Sequence, residues 1–530
     1  MNEHDVRQHL SGDRLHILIA TLVGLAFAVY AGLFAVGYGG NPVKSLMLLL
    51  GAGSMIVASL RPKIGLGLLV VASAYLDFIK RLLVCFGASS MSDVTGVLAV
   101  APMILAGIFL GTCVLHPIFT KRMLDRGERR LVLGALMVIG VAAVVAYRDA
   151  VWIGDFFGNV ANQAAYALLV PVVYILYRRR SIGEIRGFLR FITYVYIPVA
   201  AYGVYQFWFG YNQFEIDYLL SGLTSITNAL YDNHPRPFST LNSPHGYSVL
   251  MWFMAVLAIH LGFDKSSGRH TPRWLPFVYV GGVLFSFVRG AILLSTANIF
   301  MSRWFKTRKG TMIFYGFSVT AFVLLVAFSQ SLVDNIEHLE KSLPMGEQWQ
   351  KQAFRLGTLS ERLFGYQGVL LNPRMYTLFG HGSSYAALQL TSGEEGYNHD
   401  SLSTILFRFG IVGLLVTIVF ATYVMYRVSA LVWQTKDPDR KALGSTLVSM
   451  FTLIVLSHVG GASYNVFPIN LFMWLFLGFA ATVCAPPEGK VGQPGKESGN
   501  TMGNQRRPSP ALRRGNRLAP GSSAASNGTA

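Results

Sequence analysis

The stretch "WLPFVYVGGVLFSFVRGAILLSTANIFM", residues 274–301, decides how the chain is laid out. It is mostly apolar, Arg289 is its only charged residue, and a basic loop flanks it on each side, at 264–273 and at 302–310. One helix crossing a bilayer would place these two loops on opposite sides, whereas loops rich in Lys and Arg collect on the cytoplasmic side. A single crossing therefore conflicts with the charge pattern.

Two half-helices remove this conflict. We predict one at about 274–288 and another at about 290–304, with their shared turn on the outer side at Arg289-Gly290. Each half is ~22 Å long at 1.5 Å per residue. A segment this short needs a locally thinner bilayer or neighbouring helices that shield its turn.

The composition indicates a membrane protein. Of 530 residues, 52% are hydrophobic and 13% are charged, with a mean hydropathy of +0.45, whereas soluble domains carry about 25% charged residues. The net charge of +18 lies largely in short loops and in the C-terminal tail, which is typical of cytoplasmic anchoring charge rather than of nucleic-acid binding. The three dispersed cysteines and the absence of a Cys/His cluster predict no metal site and no cofactor.

The fold prediction is an all-α, polytopic inner-membrane helical bundle with about 12–14 transmembrane segments over residues 15–484. The basic loops 116–130 and 178–190 are placed in the cytoplasm, together with residues 1–14 and a disordered basic tail at 485–530. The predicted segments besides the two half-helices are 15–39, 43–60, 64–79, 94–115, 131–147, 160–177, 188–210, 245–263, 311–330, 400–426, 443–461 and 465–484.

Candidate site residues gather on the predicted outer face. Arg236 lies between two prolines in the loop 211–244, and Arg289 lies at the outer turn. A large periplasmic loop, 331–398, is too long for an idle connection and contains a predicted interfacial helix at 358–372 that carries Arg362. A charge inside an apolar stretch costs roughly 2.5–3.5 kcal/mol on insertion scales, so Arg289 indicates function more strongly than a loop arginine does.

The stretch "YNHDSLSTILFRFGIVGLL" (397–415) places a histidine at the start of the next apolar segment. Asp400 is suited to cap a helix that begins at Ser401. His399, just before it, is the residue type that can take a proton at physiological pH, as a general base must. Arg408 follows about two turns into the predicted span, and Asp77 is one of the few acidic residues in the spans.

Structural roles remain open for several of these residues. His399 and Arg236 have solvent-facing alternatives, and Arg362 has a salt bridge within its own helix as an alternative. Taken together, arginines at an outer membrane surface match the phosphate oxygens of a polyprenyl diphosphate. His399 could then deprotonate an attacking sugar hydroxyl, which would form a new glycosidic bond.

The sequence resembles the O-antigen ligase and polymerase superfamily of bacterial envelope glycosyltransferases over residues 190–480. Four stretches carry this resemblance, namely "RPFSTLNSPHGYS", "FSFVRGAIL", "LFGHGSSY" at the end of the arginine-bearing outer loop, and "YNHDSLSTILFRFGIVGLL". It implies a metal-independent, inverting transfer from an undecaprenyl pyrophosphate-linked glycan donor to a glycan or lipid A-core acceptor. His399 would be catalytic, and Arg289, Arg362 and Arg236 would bind the donor pyrophosphate.

This sequence departs from the family pattern at three positions, where it has Val288, Asp400 and Arg408. Asp400 and Arg408 are therefore only accessory candidates, and Arg355 competes with Arg362 for the role of the loop arginine. Polymerase and ligase both remain open, and a lipid-linked oligosaccharide flippase or polysaccharide exporter is the alternative class. The expected location is the bacterial inner membrane, with both termini cytoplasmic.

Overall fold

A computed structural model describes residues 42–85, 96–120, 123–149, 160–161, 164–223, 230–231, 234–262, 271–286, 288–328, 331, 377–380, 401–457 and 466–485. These residues form helices and one antiparallel pair of two-residue strands. The elements are α1 Pro42–Leu60, α2 Pro62–Cys85, α3 Val97–Thr120, α4 Arg126–Asp149, α5 Ala165–Tyr177, α6 Ile182–Val195, α7 Ile197–Phe209, α8 Gln213–Leu220, β1 Leu230–Tyr231, β2 His234–Pro235, α9 Pro244–Gly262, α10 Leu275–Phe285, α11 Arg289–Trp304, α12 Arg308–Ala327, α13 Ser401–Gln434, α14 Pro438–Ser457 and α15 Ile469–Val483.

The apolar stretch at 274–304 is broken into two helices, as its flanking charge predicts. The α10 helix ends at Phe285 and α11 begins at Arg289. Between them Val288 has an extended backbone, with φ −92° and ψ 94°, so the helical hydrogen-bond ladder stops. The predicted break is confirmed, and the first half-helix ends three residues earlier than expected.

Four helices in the described residues are long and apolar enough to cross a membrane. They are Val97–Thr120, Ile182–Phe209, Pro244–Gly262 and Phe409–Gln434. Shorter apolar helices lie at Leu49–Leu60, Ala165–Tyr177, Leu275–Phe285 and Ile469–Val483. The prediction of a mainly α-helical chain is confirmed for the described residues, and the apolar helices are compatible with a membrane protein. The predicted segment 15–39 and the tail beyond residue 485 lie outside the described residues.

The centre of the helical unit is formed by α9 and α15. Both have apolar residues all round, without a polar face, which is the pattern of a helix enclosed by other helices. The Trp252 and Phe253 side chains of α9 are fully buried, and the Phe253 ring contacts the Phe476 ring of α15 at 5.4 Å between centroids. These two helices set the positions of the elements around them.

The α13 helix lies at the periphery. Its apolar side chains Leu415, Val419 and Tyr423 are 56%, 66% and 60% exposed. A helix with so many exposed apolar side chains would be unfavourable in water but suits contact with lipid.

Close contact between α1 and α3 depends on two small residues. A Cβ atom at Gly107 would collide with the carbonyl oxygen of Met55, and one at Gly111 would collide with that of Ser59. The spacing Gly-x-x-x-Gly places both glycines on one helix face, where it lets two membrane helices approach closely. This contact fixes the first helices of the described chain against each other.

The last long apolar segment is interrupted near its start, where the sequence predicts one continuous span at 400–426. Gly410 has φ 70° and ψ −170°, so α13 consists of two helical parts. After this break the N–H groups of Ile411 and Val412 donate to the carbonyl oxygens of Thr377 and Leu378 at 3.0 and 3.2 Å. Residues 377–378 of the large loop thus cap the second helical part, which corrects the prediction of a single uninterrupted span.

Ion pairs join the basic connections at one end of the helical unit. Arg178, after α5, pairs with Asp125, before α4, and Arg186 of α6 lies 3.9 Å from Asp439 of α14. We call this end the Asp125 end. The two predicted cytoplasmic loops 116–130 and 178–190 and the connection between α13 and α14 therefore lie close together.

Candidate functional site

Arg236 is the predicted site residue whose side chain the structure describes. It follows β2, lies between Pro235 and Pro237, and is half-buried. Its backbone carbonyl oxygen accepts a hydrogen bond from the Tyr211 hydroxyl at 2.9 Å. Burial raises the pKa of Tyr211 above its ordinary value of 10.0, so this hydroxyl keeps its proton and can donate.

Two further candidates are placed by their backbone alone. Arg289 is the first residue of α11, directly after the helix break. Arg408 precedes the break at Gly410, and the helix that is long enough to cross a membrane begins after it, at Phe409. Because the chain turns at Gly410, Arg408 belongs to the first helical part of α13 and lies just before the candidate span Phe409–Gln434. His399, Asp400, Arg362 and Arg355 lie outside the described residues.

A buried ion pair lies close to Arg236. Arg81, in the last turns of α2, donates from Nη1 to Oε1 of Glu215 in α8 at 2.7 Å, and the two side chains are 1% and 0% exposed. Burial raises the pKa of the Glu215 carboxyl, and the charge of Arg81 acts against this shift. The Arg81 guanidinium also lies over the Phe238 ring, 4.7 Å from its centroid. This is a desolvated, geometrically well-paired site rather than a surface contact.

The sequence explains how Glu215 is held at this place. Asn212 and Glu215 form a capping box at the start of α8, and the second carboxylate oxygen, Oε2, accepts from the Asn212 backbone N–H at 3.1 Å. Gln206, at the end of α7, donates from Nε2 to Oε1 of Glu215 at 2.6 Å. Both carboxylate oxygens thus have donors, which a buried carboxylate requires.

The same groups hold the segment that begins at Arg236. The Gln206 Oε1 atom accepts from the backbone N–H groups of Phe238 and Ser239 at 3.1 and 2.6 Å. Arg81 Nη2 donates to the Leu241 carbonyl oxygen at 3.2 Å, and Thr240 Oγ1 donates to that of Ala74 at 2.6 Å. The loop 236–241 is therefore attached to α2 and α7 by buried polar groups.

A second pair of charges lies on α2, one turn earlier. The Lys80 ammonium is 3.3 Å from Asp77 Oδ1, and both residues are buried. Neither carboxylate oxygen of Asp77 has hydrogen-bond geometry to a partner in the described part of the chain. Sequence analysis noted Asp77 only as one of the few acidic residues in the predicted spans, and the described structure places Lys80 beside it.

The contacts of Tyr247 relate the break between α10 and α11 to the position of the Arg81–Glu215 pair. Its hydroxyl donates to the Ala200 carbonyl oxygen of α7 at 3.2 Å, and it lies where a Cβ atom at Gly203 or Gly282 would collide with it. Gly282 is near the end of α10, seven residues before Arg289. The start of α11 and the Arg81–Glu215 pair therefore belong to one end, which we call the Arg81 end.

Sequence analysis missed Arg81, Glu215 and Gln206. Two signals were available. Asp77, Lys80 and Arg81 have the i, i+3, i+4 spacing of one helix face at the end of an apolar run, and "NQFE" at 212–215 fits a capping box. The second signal was overlooked because residues 211–244 were predicted to form a loop. The structure instead has α8 and two strands within this range. In the described residues no group of three or more His, Cys, Asp or Glu side chains forms a metal site.

Comparison with protein-family models, with curated proteins and with solved structures finds no match for this chain. The site is therefore interpreted from its own residues.

Proposed function

We propose that this protein is a polytopic membrane glycosyltransferase of the O-antigen ligase and polymerase type. In this proposal about 12–14 segments cross the bacterial inner membrane, the loop 331–398 is periplasmic and both termini are cytoplasmic. The substrate is an undecaprenyl pyrophosphate-linked glycan, and the acceptor is a glycan or lipid A-core. The Arg81 end faces the periplasm.

The placement of Arg289 is the observation that carries this proposal. Arg289 begins a 16-residue helix directly after a break in an apolar stretch, and the preceding residue, Val288, provides no side-chain cap. A helix start carries free N–H groups and a partial positive charge, which attract phosphate. An arginine at the same point adds two or more donors and a permanent charge. A diphosphate on a membrane-embedded lipid is the ligand that this combination fits.

The surroundings of Arg236 support the same site. Arg236 precedes a loop that buried polar groups attach to α2 and α7, and Tyr247 links α7 to the end of α10. Arg236 and Arg289 therefore lie at the same end of the helical unit. Two arginines at one end suit a dianionic leaving group better than either does alone.

The proposed reaction needs no metal ion to balance its charges. His399 takes the proton from an acceptor hydroxyl, and the hydroxyl oxygen attacks the anomeric carbon of the donor sugar. The bond from that carbon to the diphosphate oxygen breaks, and undecaprenyl diphosphate leaves with both bonding electrons. Arg289, Arg236 and Arg362 neutralise the diphosphate, while Asp400 and Arg408 are accessory.

The experiment compares envelope glycans in a deletion strain that carries wild type, Arg289→Ala, His399→Ala or Arg303→Ala. Arg303 is the matched control, because it lies in the last turn of the same helix and is exposed. We expect glycan to be lost with the first two variants and retained with Arg303→Ala. Loss of a general base alone lowers the rate by about 10²–10⁴.

The intermediates that accumulate distinguish the functions. Single repeat units on the carrier lipid at the outer leaflet indicate a polymerase, and long chains on that carrier indicate a ligase. Units confined to the inner leaflet indicate a flippase, which would contradict the proposal. Normal glycan in both the Arg289→Ala and His399→Ala strains, with each protein present in the membrane, would also contradict it.

A further inference from the structure

The buried polar groups of the Arg81 end converge on one short loop. Arg81, Glu215 and Gln206 are each 0% or 1% exposed, and we call these three side chains the Arg81 clamp. Burying an ion pair costs several kcal/mol of desolvation per ion, and well-packed apolar residues of similar volume often serve stability equally well. Packing alone therefore does not account for the clamp, and its contacts show what else it does.

The clamp bonds to the loop backbone rather than to side chains. Gln206 accepts from two consecutive N–H groups, those of Phe238 and Ser239, and Arg81 donates to the Leu241 carbonyl oxygen. Glu215 orients both, since one of its oxygens, Oε1, accepts from Arg81 and from Gln206. Backbone contacts of this kind fix the path of the chain whatever side chains the loop carries.

The loop is held in a conformation that it would not adopt readily by itself. Ser239 has φ 53°, in the left-handed region that non-glycine residues seldom occupy. Its N–H donates to Gln206, and its hydroxyl donates to the Val199 carbonyl oxygen. Such backbone strain persists where the surrounding structure imposes it, and it concentrates at functional sites.

The residue that this arrangement presents is Arg236. Pro235 and Pro237 restrict the backbone on both sides of it, and Tyr211 holds its carbonyl oxygen. The Tyr211 ring also packs against the Phe238 ring, with 5.0 Å between centroids. Phe238 in turn lies under the Arg81 guanidinium. A continuous set of contacts thus leads from the ion pair to the backbone of Arg236.

We propose that the Arg81 clamp and Tyr211 are positioning groups that preorganise Arg236 to bind a diphosphate. This inference rests on the proposed function, because it takes the lipid diphosphate as the ligand of Arg236. The clamp residues do not touch the ligand themselves. They restrict the conformation of Arg236 before the ligand binds, so that less conformational entropy is lost on binding.

The test measures binding of farnesyl diphosphate to the purified full-length protein in lipid nanodiscs, with the melting temperature of each variant recorded alongside. Tyr211→Phe removes the hydroxyl that holds Arg236. Tyr75→Phe is the matched control, because Tyr75 is also half-buried and its hydroxyl donates to a backbone carbonyl oxygen, that of Val195, at 3.2 Å. Arg236→Ala measures how much the binding of farnesyl diphosphate depends on the arginine side chain itself.

We expect Tyr211→Phe to weaken binding by about 3–10-fold, the range of one hydrogen bond, and Tyr75→Phe to leave it unchanged. Arg236→Ala should weaken binding more than Tyr211→Phe. The double variant Arg81→Met/Glu215→Leu replaces the ion pair with apolar side chains, so it removes the two charged members of the clamp without leaving an unpaired charge. It should keep a cooperative melting transition and also bind about 10-fold more weakly.

Three outcomes overturn the inference in different ways. If Arg236→Ala weakens binding while Tyr211→Phe and the folded double variant bind like wild type, Arg236 is a ligand residue but the clamp is purely structural. If wild type itself does not bind farnesyl diphosphate, the proposed diphosphate site fails, and the positioning role fails with it. Equal effects of Tyr211→Phe and Tyr75→Phe on binding would also contradict positioning.

Discussion

The two ends of the helical unit carry their charges in different ways. At the Arg81 end, the Arg81–Glu215 pair is 1% and 0% exposed and is surrounded by further hydrogen bonds. At the Asp125 end, the Lys63–Glu184 pair has a similar N–O distance, 3.1 Å, but its side chains are 39% and 44% exposed. The distances are alike, so burial is what separates the two pairs.

The buried pair Arg81–Glu215 and the exposed pair Lys63–Glu184 therefore use charge for different purposes, and the Asp125 end also contains a less exposed pair, Arg178–Glu128, at 16% and 2%. Exposed pairs contribute about 0–1 kcal/mol because water screens them and long side chains lose freedom. Such charges suit the membrane surface, where their number and sign matter more than their geometry. A buried pair requires a defined geometry, and at the Arg81 end that geometry extends to the backbone of a loop.

The largest expected effect comes from breaking one pair at each end. Arg81→Met leaves the Glu215 carboxylate buried without its charged partner, so the free energy of unfolding should fall by about 3–5 kcal/mol. Lys63→Met at the Asp125 end should lower it by less than about 1 kcal/mol. Unfolding of the detergent-solubilised variants, followed by helical circular dichroism, measures both.

A companion variant controls for packing at the Arg81 end. Arg81→Met/Glu215→Leu removes both charges, and it should recover most of the stability that the single substitution loses. If Arg81→Met and Lys63→Met lower the free energy of unfolding equally, the contrast between the two ends is wrong. If the double variant is no more stable than Arg81→Met, the unpaired charge is not the cause.

A smaller effect concerns the backbone at the Arg81 end. At Ser239, with φ 53°, glycine should be more stable than alanine by about 1 kcal/mol, because a Cβ atom is unfavourable in the left-handed region. Both substitutions remove the same hydroxyl, so their difference isolates the backbone strain. The measurement is the difference in free energy of unfolding between Ser239→Gly and Ser239→Ala.

Ser302 in α11 is the matched control. It lies in an ordinary helix, where alanine should be more stable than glycine by about 1 kcal/mol. The order of the two substitutions should therefore reverse between the two positions. The same order at both serines would mean that Ser239 carries no strain.

Charge and hydropathy predicted most of the helix positions. The break between α10 and α11 could be predicted from two basic loops that a single crossing cannot reconcile, because the positive-inside rule acts on whole segments. The break at Gly410 was missed. It depends on contact with Thr377 and Leu378, which lie more than thirty residues earlier in the chain, and no local pattern reports such a contact.

The candidate site was predicted less completely than the fold. Arg236 could be predicted because a proline flanks it on each side, and Arg289 because it lies inside an apolar stretch. Arg81 and Glu215 are separated by 134 positions, and each resembles an ordinary charge at the end of a helix until the fold brings them together. Two local sequence patterns indicated the Arg81–Glu215 pair, namely the capping box at Asn212 and the charged residues on one face of α2.

The smallest expected effect is a pH dependence at the Asp125 end. Partial burial would raise the pKa of Asp125, but hydrogen bonds from the Glu128 backbone N–H and from Arg178 outweigh it and hold the pKa below the ordinary value of 3.8. A carboxyl whose pKa is lower in the folded state contributes stability above its unfolded pKa, and that contribution is lost as the pH falls through the folded value. Its stabilising effect should therefore be complete at pH 7 and be lost as the pH falls below 3.8 and through the lower pKa of the folded state.

Asp125→Asn tests this dependence. The side chain is 38% exposed, so screening by solvent limits the loss at pH 7 to a few tenths of a kcal/mol, ~0.5 kcal/mol at most. The difference in melting temperature between the wild type and the variant should narrow as the pH is lowered from 7 past 3.8, since the wild-type carboxyl takes up a proton and becomes neutral like the amide. A difference that does not narrow over this range would assign the effect to the shape of the N-terminal cap of α4 instead of to its charge. A gap at pH 7 as large as that caused by Arg81→Met would show that exposure does not separate the two ends.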